Sequence, residues 1–272
     1  MPFPRSRALV MAILAILLAG ALWWSGGLFG QVDDTPVETA AKDDAKPVVG
    51  LMGTLPIYWG EVADIDEMLA GGGQSHWARA ALEREYRLQP LDTLDPDGGI
   101  EKVDYLLLAQ PRALSGPENV SLDKWVRAGG RLLVFADPFL SGESRFHIGD
   151  RRRPQDVVLI SPILARWGLE LQFDTQQPDG DRKVPYKDSS LPVNLAGEFA
   201  LRDPAGGAPS DCTLQADGLV AQCEVGEGRV LLVADATVLE NGAQEGGRST
   251  ALDALVSAAF DTSRTGSGNS RD

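Results

Sequence analysis

Apolar positions along this chain fall into runs of two lengths. The first run is long: Ala8 to Trp24 (ALVMAILAILLAGALWW) carries no charge, and apolar residues continue loosely to Phe29. About 20 such residues suffice to cross a bilayer as a helix. The later runs are short and bounded by turn residues: Val48–Met52, Val103–Ala109, Arg131–Ala136 and Arg229–Ala234. Continuous apolar stretches of this length predict strands buried on both faces of a sheet. Residues 87–94 (RLQPLDTL) predict one more short strand.

Between these strands the periodicity turns helical. Ser75 is placed to cap a helix through Tyr86. In SGPENVSLDKWVRAGG, Pro117 suits a helix start and Gly129-Gly130 a left-handed stop. Ser161–Gly168 and Thr250–Phe260 predict two further helices, the first leading into LELQF. Helices alternating with buried strands imply right-handed crossovers. The expected class is therefore α/β, a mostly parallel sheet flanked by helices. Residues 174–223 differ in kind: they are rich in Asp, Gly, Pro and Ser, with short alternating runs, and predict a small antiparallel β insertion.

The expected organisation is a cytoplasmic N-terminus (1–7), a transmembrane anchor (8–29), an acidic linker (30–47), the α/β domain (48–260) and a frayed tail (261–272). Arg5 and Arg7 precede the long apolar run, and Asp33, Asp34 and Glu38 follow it. The positive-inside rule then leaves the domain outside the cytoplasm, on the periplasmic side of a single-pass inner-membrane anchor. A cleaved signal peptide with Ala19-Gly20-Ala21 at its cleavage site is the rival reading. Against it, Trp23-Trp24 sits where an interfacial belt would anchor a helix. Both readings export the domain.

A formal net charge of −14 argues against nucleic acid, whose phosphates would repel the chain. Arg151-Arg152-Arg153 is its basic cluster and reads first as a solvated turn. Cys212 and Cys223 flank TLQADGLVAQ. With Asp217-Gly218 as a two-residue turn they fall opposite each other, at a hydrogen-bonded ladder site where Cα atoms stand farther apart. A disulfide helped by a bulge or longer turn, or two free structural thiols, are both open. With two histidines, neither near the cysteines, no metal and no cofactor is expected.

YLLLAQP, a helix ending in WVRAGGRLLVFADPF, and later GEGRVLLVADATVLENG together resemble the auxiliary domains of certain ABC transport systems, including the gliding-motility type. That resemblance implies a class I glutamine amidotransferase-like, flavodoxin-like fold, tethered to the membrane outside the cytoplasm. It also implies an ABC ATPase and a permease as partner chains, and no catalysis. Active amidotransferases on this fold carry a cysteine at a sharp elbow, expected here near Ala136-Asp137, and this chain has none there. No Gly-x-Ser-x-Gly elbow and no phosphate-binding Gly-x-x-x-x-Gly-Lys-[Ser/Thr] loop occurs either. A Ser141/His147/Asp137 arrangement has no support in the spacing.

What remains is a candidate ligand cleft. Asp137, Asp235 and Gln110 end three apolar strands, so they fall at one sheet edge, and Tyr58, Trp59 and Glu61 follow the first strand. Carboxylates beside aromatics suit a glycan or small polar metabolite, and two carboxylates suit hydrolysis at the right separation. The competing reading makes each Asp a cap for the turn that follows it.

Overall fold

The computed structural model describes residues 46–61, 76–206, 209–241 and 245–261. The expected anchor, nearly all of the linker, and the tail after Asp261 lie outside these residues. Among the described residues no helix is long and apolar enough to cross a membrane.

Elements run in the order β1 (Val48–Gly53), α1 (Trp77–Leu82), β2 (Arg87–Pro90), β3 (Tyr105–Ala109), α2 (Gly116–Arg127), β4 (Arg131–Phe135), α3 (Ser161–Arg166), β5 (Leu169–Gln172), β6 (Arg182–Tyr186), β7 (Ser189–Val193), β8 (Glu198–Leu201), β9 (Asp211–Gln215), β10 (Val220–Val225), β11 (Gly228–Val233) and α4 (Glu245–Phe260). The main sheet has seven strands in the order β2-β1-β3-β4-β11-β10-β9. β2, β1, β3, β4 and β11 are mutually parallel; β10 and β9 join antiparallel. The fold is mixed α/β around a mostly parallel sheet. Its central strands are the apolar runs: Leu106–Ala109, Leu132–Phe135 and Val230–Val233 are buried throughout. α4 lies along β4, β7 and β11, while α2 touches β11 and α3.

Local chemistry explains where elements start and stop. Ser115 caps α2 through the Glu118 N–H, and the Glu118 carboxylate accepts from the Ser115 N–H in return. Gly129 ends the helix in the left-handed region at φ 109°. α1 is shorter than expected. Ser75 lies outside the described residues, and His76 is the N-cap, its Nδ1 accepting from the Ala78 N–H at 3.2 Å. LELQF forms β5, but β5 leaves the main sheet and pairs antiparallel with β8.

Of residues 174–223, β6 and β7 form their own hairpin, while β9 and β10 extend the main sheet. A tight turn at Gly226, φ 62°, folds β10 onto β11. Cys212 and Cys223 form a disulfide with Cα atoms 4.0 Å apart, the spacing of the narrow ladder site rather than the wide one the two-residue turn implied. The connection is longer than two residues: Ala216, Asp217 and Gly218 all take positive φ between Gln215 and Val220.

Glu118 also ties α2 to the β2–β3 connection. Its carboxylate is 3% exposed and accepts from both Arg112 terminal nitrogens, at 2.9 and 2.7 Å, and from the Leu94 N–H. Arg112 is the main reason this carboxyl is held well below its usual range. Removing the guanidinium strands a buried charge, so Arg112→Ala is expected to cost about 2–3 kcal/mol in urea denaturation. The loss should shrink as pH falls and Glu118 protonates.

Candidate functional site

Four parallel strands deliver their carboxyl ends to one edge. β1 leads into Thr54, β3 into Gln110, β4 into Asp137 and β11 into Asp235. Gln110 is fully buried and takes a left-handed backbone, φ 50°, uncommon for a residue with a Cβ. Its hydrogen bonds hold it there. Its N–H donates to the Phe135 carbonyl at 3.0 Å. Its Nε2 donates to the carbonyls of Asp137 (3.0 Å) and Gln155 (2.9 Å), and its Oε1 accepts from the Asp137 N–H (2.9 Å). Thr54 completes the arrangement: its hydroxyl donates to the Gln110 carbonyl at 2.7 Å and accepts from the Gln155 N–H at 3.0 Å.

The sharp turn therefore falls at Gln110. Ala136 and Asp137, where the elbow was expected, have ordinary negative φ. An amide stands at the turn, and an amide is no nucleophile.

Both aspartates turn inward. Asp137 accepts from the Phe139 N–H (2.8 Å) and the Ala236 N–H (3.1 Å). Asp235 accepts from the Thr237 N–H (2.6 Å) and the Asn194 N–H (3.0 Å). Burial pushes the Asp137 carboxyl up to about 7. Burial first, and then the neighbouring Asp137 charge, pushes Asp235 up as well. Raised carboxyls of this kind suit acid–base chemistry, but Asp137 and Asp235 are 0% and 1% exposed, so neither opens onto solvent.

An open cleft of about 480 Å³ does lie at this edge. Glu61, Ser141, Asn194 and Glu240 are among its lining residues, and Gln110, Asp137 and Asp235 are not. Glu61 accepts from the Ser144 hydroxyl at 2.7 Å and the Arg145 N–H at 2.9 Å. Glu240 faces the Ser141 hydroxyl at 3.5 Å and the buried Arg248 at 3.4 Å, and burial raises its carboxyl despite that arginine. His76 also lines the cleft, its ring held neutral because burial pushes it down to about 4. Tyr58 is half-buried beneath Arg79, 4.1 Å from the guanidinium, and Trp59 stands exposed against its edge. His147 is exposed, and the Ser141 hydroxyl faces Glu240, so Ser141, His147 and Asp137 assemble no triad.

The sequence reading missed Asn194, Glu240 and His76. Glu240 follows Asp235 by five residues, which was the one available signal; Asn194 reaches the edge only through tertiary folding.

Residues 46–194 match the profile of a family described as an ABC-type uncharacterized transport system. Among curated proteins none matches the sequence. Solved structures give loose likenesses. A GH42 β-galactosidase from G. stearothermophilus is 14% identical with TM-score 0.46, over 78% of this chain and 30% of its own. An exo-β-1,4-mannosidase from Opitutaceae bacterium strain TAV5 is 15% identical with TM-score 0.45, over 82% and 38%. The mmIFT52 N-terminal domain is 13% identical with TM-score 0.45, over 83% and 100%. The chain thus spans well under half of either glycosidase, and none of these likenesses bears on its activity.

The raised Asp137 carboxyl sets a pH dependence. Its stabilising contribution is fully present below pH about 4 and is lost as pH rises through about 7. Asp137→Asn lacks that loss. Relative to the variant, the native chain should lose more than about 1 kcal/mol between pH 4.5 and 8, read by urea denaturation of both proteins. A constant difference would place the Asp137 charge in solvent.

Proposed function

We propose, from the premise that this chain belongs to the family described as an ABC-type uncharacterized transport system, that it is a non-catalytic auxiliary subunit of such a system. The α/β domain works outside the cytoplasm, held to the inner membrane by the apolar run at 8–29. It acts through protein–protein contact. Its partners are an ABC ATPase and a permease, as the family resemblance implies, and ATP hydrolysis falls to the first, since this sequence carries no phosphate-binding loop.

The observation that carries the non-catalytic reading is the state of the strand ends. Where an amidotransferase-like fold would present a nucleophile, Gln110, Asp137 and Asp235 are buried with their polar groups bonded to backbone. The disulfide between Cys212 and Cys223 suits an oxidising compartment. A glycan site built on Asp137 and Asp235 has little to recommend it, since neither lines the open cleft.

The tagged full-length chain, crosslinked in cells and purified from native membranes, should bring down an ABC ATPase and a polytopic permease. Both should vanish when residues 48–260 are deleted and the anchor is kept. Purification without either subunit would refute the auxiliary role.

A further inference from the structure

Residues 156–160 (DVVLI) lie between the arginine turn and α3. They alternate in burial. Val158 and Ile160 face the core, whereas Val157 and Leu159 are 48% and 54% exposed. The segment runs antiparallel to residues 137–140: the Val158 N–H donates to the Asp137 carbonyl at 3.0 Å, and the Leu140 N–H to the Asp156 carbonyl at 2.8 Å. These two bonds are one residue out of step, so Pro138 and Phe139 together oppose Val157. The chain bends at Asp156–Val157 and at Pro138–Phe139, where the Phe139 N–H is taken by the Asp137 carboxylate. Phe139 is itself 48% exposed and stacks on Phe173 with ring centroids 5.5 Å apart.

On its outer side this short ribbon is open. Among the described residues, neither Val157 nor Leu159 hydrogen-bonds through its backbone N–H or C=O. Exposed edges are usually blunted by charge, proline or brevity. The main sheet follows that rule, with β2 carrying Arg87 and Pro90 and β9 carrying Asp211 and Gln215. The 156–160 edge presents valine and leucine instead. Its surroundings are also electrically distinct. Residues 145–153 (RFHIGDRRR) hold four arginines and one aspartate, in a chain with 25 basic and 39 acidic residues. Arg152 and Arg153 pair with Asp150 and Asp156, and Arg151 is exposed.

We propose that Val157–Leu159 is a strand-addition site for an extended segment of a transporter partner chain. That segment is apolar at alternate positions, to cover Phe139, Val157 and Leu159, and carries carboxylates where it passes the arginine turn. Backbone pairing would supply affinity and the alternate side chains specificity. This proposal rests on the auxiliary role and names the surface that performs it.

The test places a photoreactive amino acid at Leu159 of the full-length chain in native membranes and maps the crosslinked peptide by mass spectrometry. It is run beside copurification of Val157→Lys/Leu159→Lys and Val120→Lys. Val120 is 68% exposed on α2, outside the proposed surface, and serves as the control. The crosslink should map to an extended segment of a transporter subunit with the stated pattern. The double variant should recover about tenfold less transporter with an unchanged melting temperature, and Val120→Lys should recover as much as the native chain. Crosslinks confined to lipid or to a second copy of this chain would overturn the proposal, as would recovery that survives both lysines. If the native chain itself brings down no transporter subunit, the auxiliary role falls and this proposal with it.

Discussion

The side-chain amide of Gln110 links three pieces of backbone that the chain brings together from far apart. It accepts from the Asp137 N–H and donates to the carbonyls of Asp137 and Gln155. In a fully buried site these bonds are stronger than in water, and leaving any of them unmade is costly. They also hold Gln110 in a left-handed conformation that would otherwise be unfavourable by about 1 kcal/mol or more. The Asp137 carbonyl accepts from the Val158 N–H as well. One amide therefore sets both stems of the 141–155 excursion and positions the open 156–160 edge. The carboxyl edge of the sheet is tied together by these buried hydrogen bonds.

That organisation separates two properties often found together. The edge retains buried carboxylates with raised affinity for protons, a feature that in other settings marks an active site. Here the same carboxylates cap backbone N–H groups and have no opening to solvent, so burial raises both, with the Glu240 charge adding at Asp137 and the Asp137 charge adding at Asp235. What stays accessible is shape and surface: a cleft among the loops, and the exposed Phe139, Val157 and Leu159 beside an arginine-rich turn.

The sequence made the sheet legible because its central parallel strands are buried on both faces and read as unbroken apolar runs, Val103–Ala109, Arg131–Ala136 and Arg229–Ala234. The limits of α2 were legible for an equally local reason, a capping serine, an early proline and a left-handed glycine. The positions of Gln110, Asp137 and Asp235 at strand ends were legible too, but not their direction, since inward and outward carboxylates look alike in sequence. The cap on α1 by His76 escaped because a histidine is rarely read as one. The role of DVVLI escaped because a five-residue apolar run cannot show by itself that only alternate members are covered. β5 left the main sheet through tertiary pairing with β8, which no local signal announces.

The most direct measurement of this account is native-state hydrogen exchange at three consecutive amides of the isolated 46–261 domain. If the Gln110 clasp holds an unpaired edge in place, Val158 should be protected while Val157 and Leu159 exchange near the rate of an open chain. In Gln110→Ala, Val158 should lose its protection while β3 and β4 keep theirs. Protection of Val157 and Leu159 in the isolated domain would mean that the edge is already covered. Protection of Val158 that persists without the Gln110 amide would mean that something else holds it.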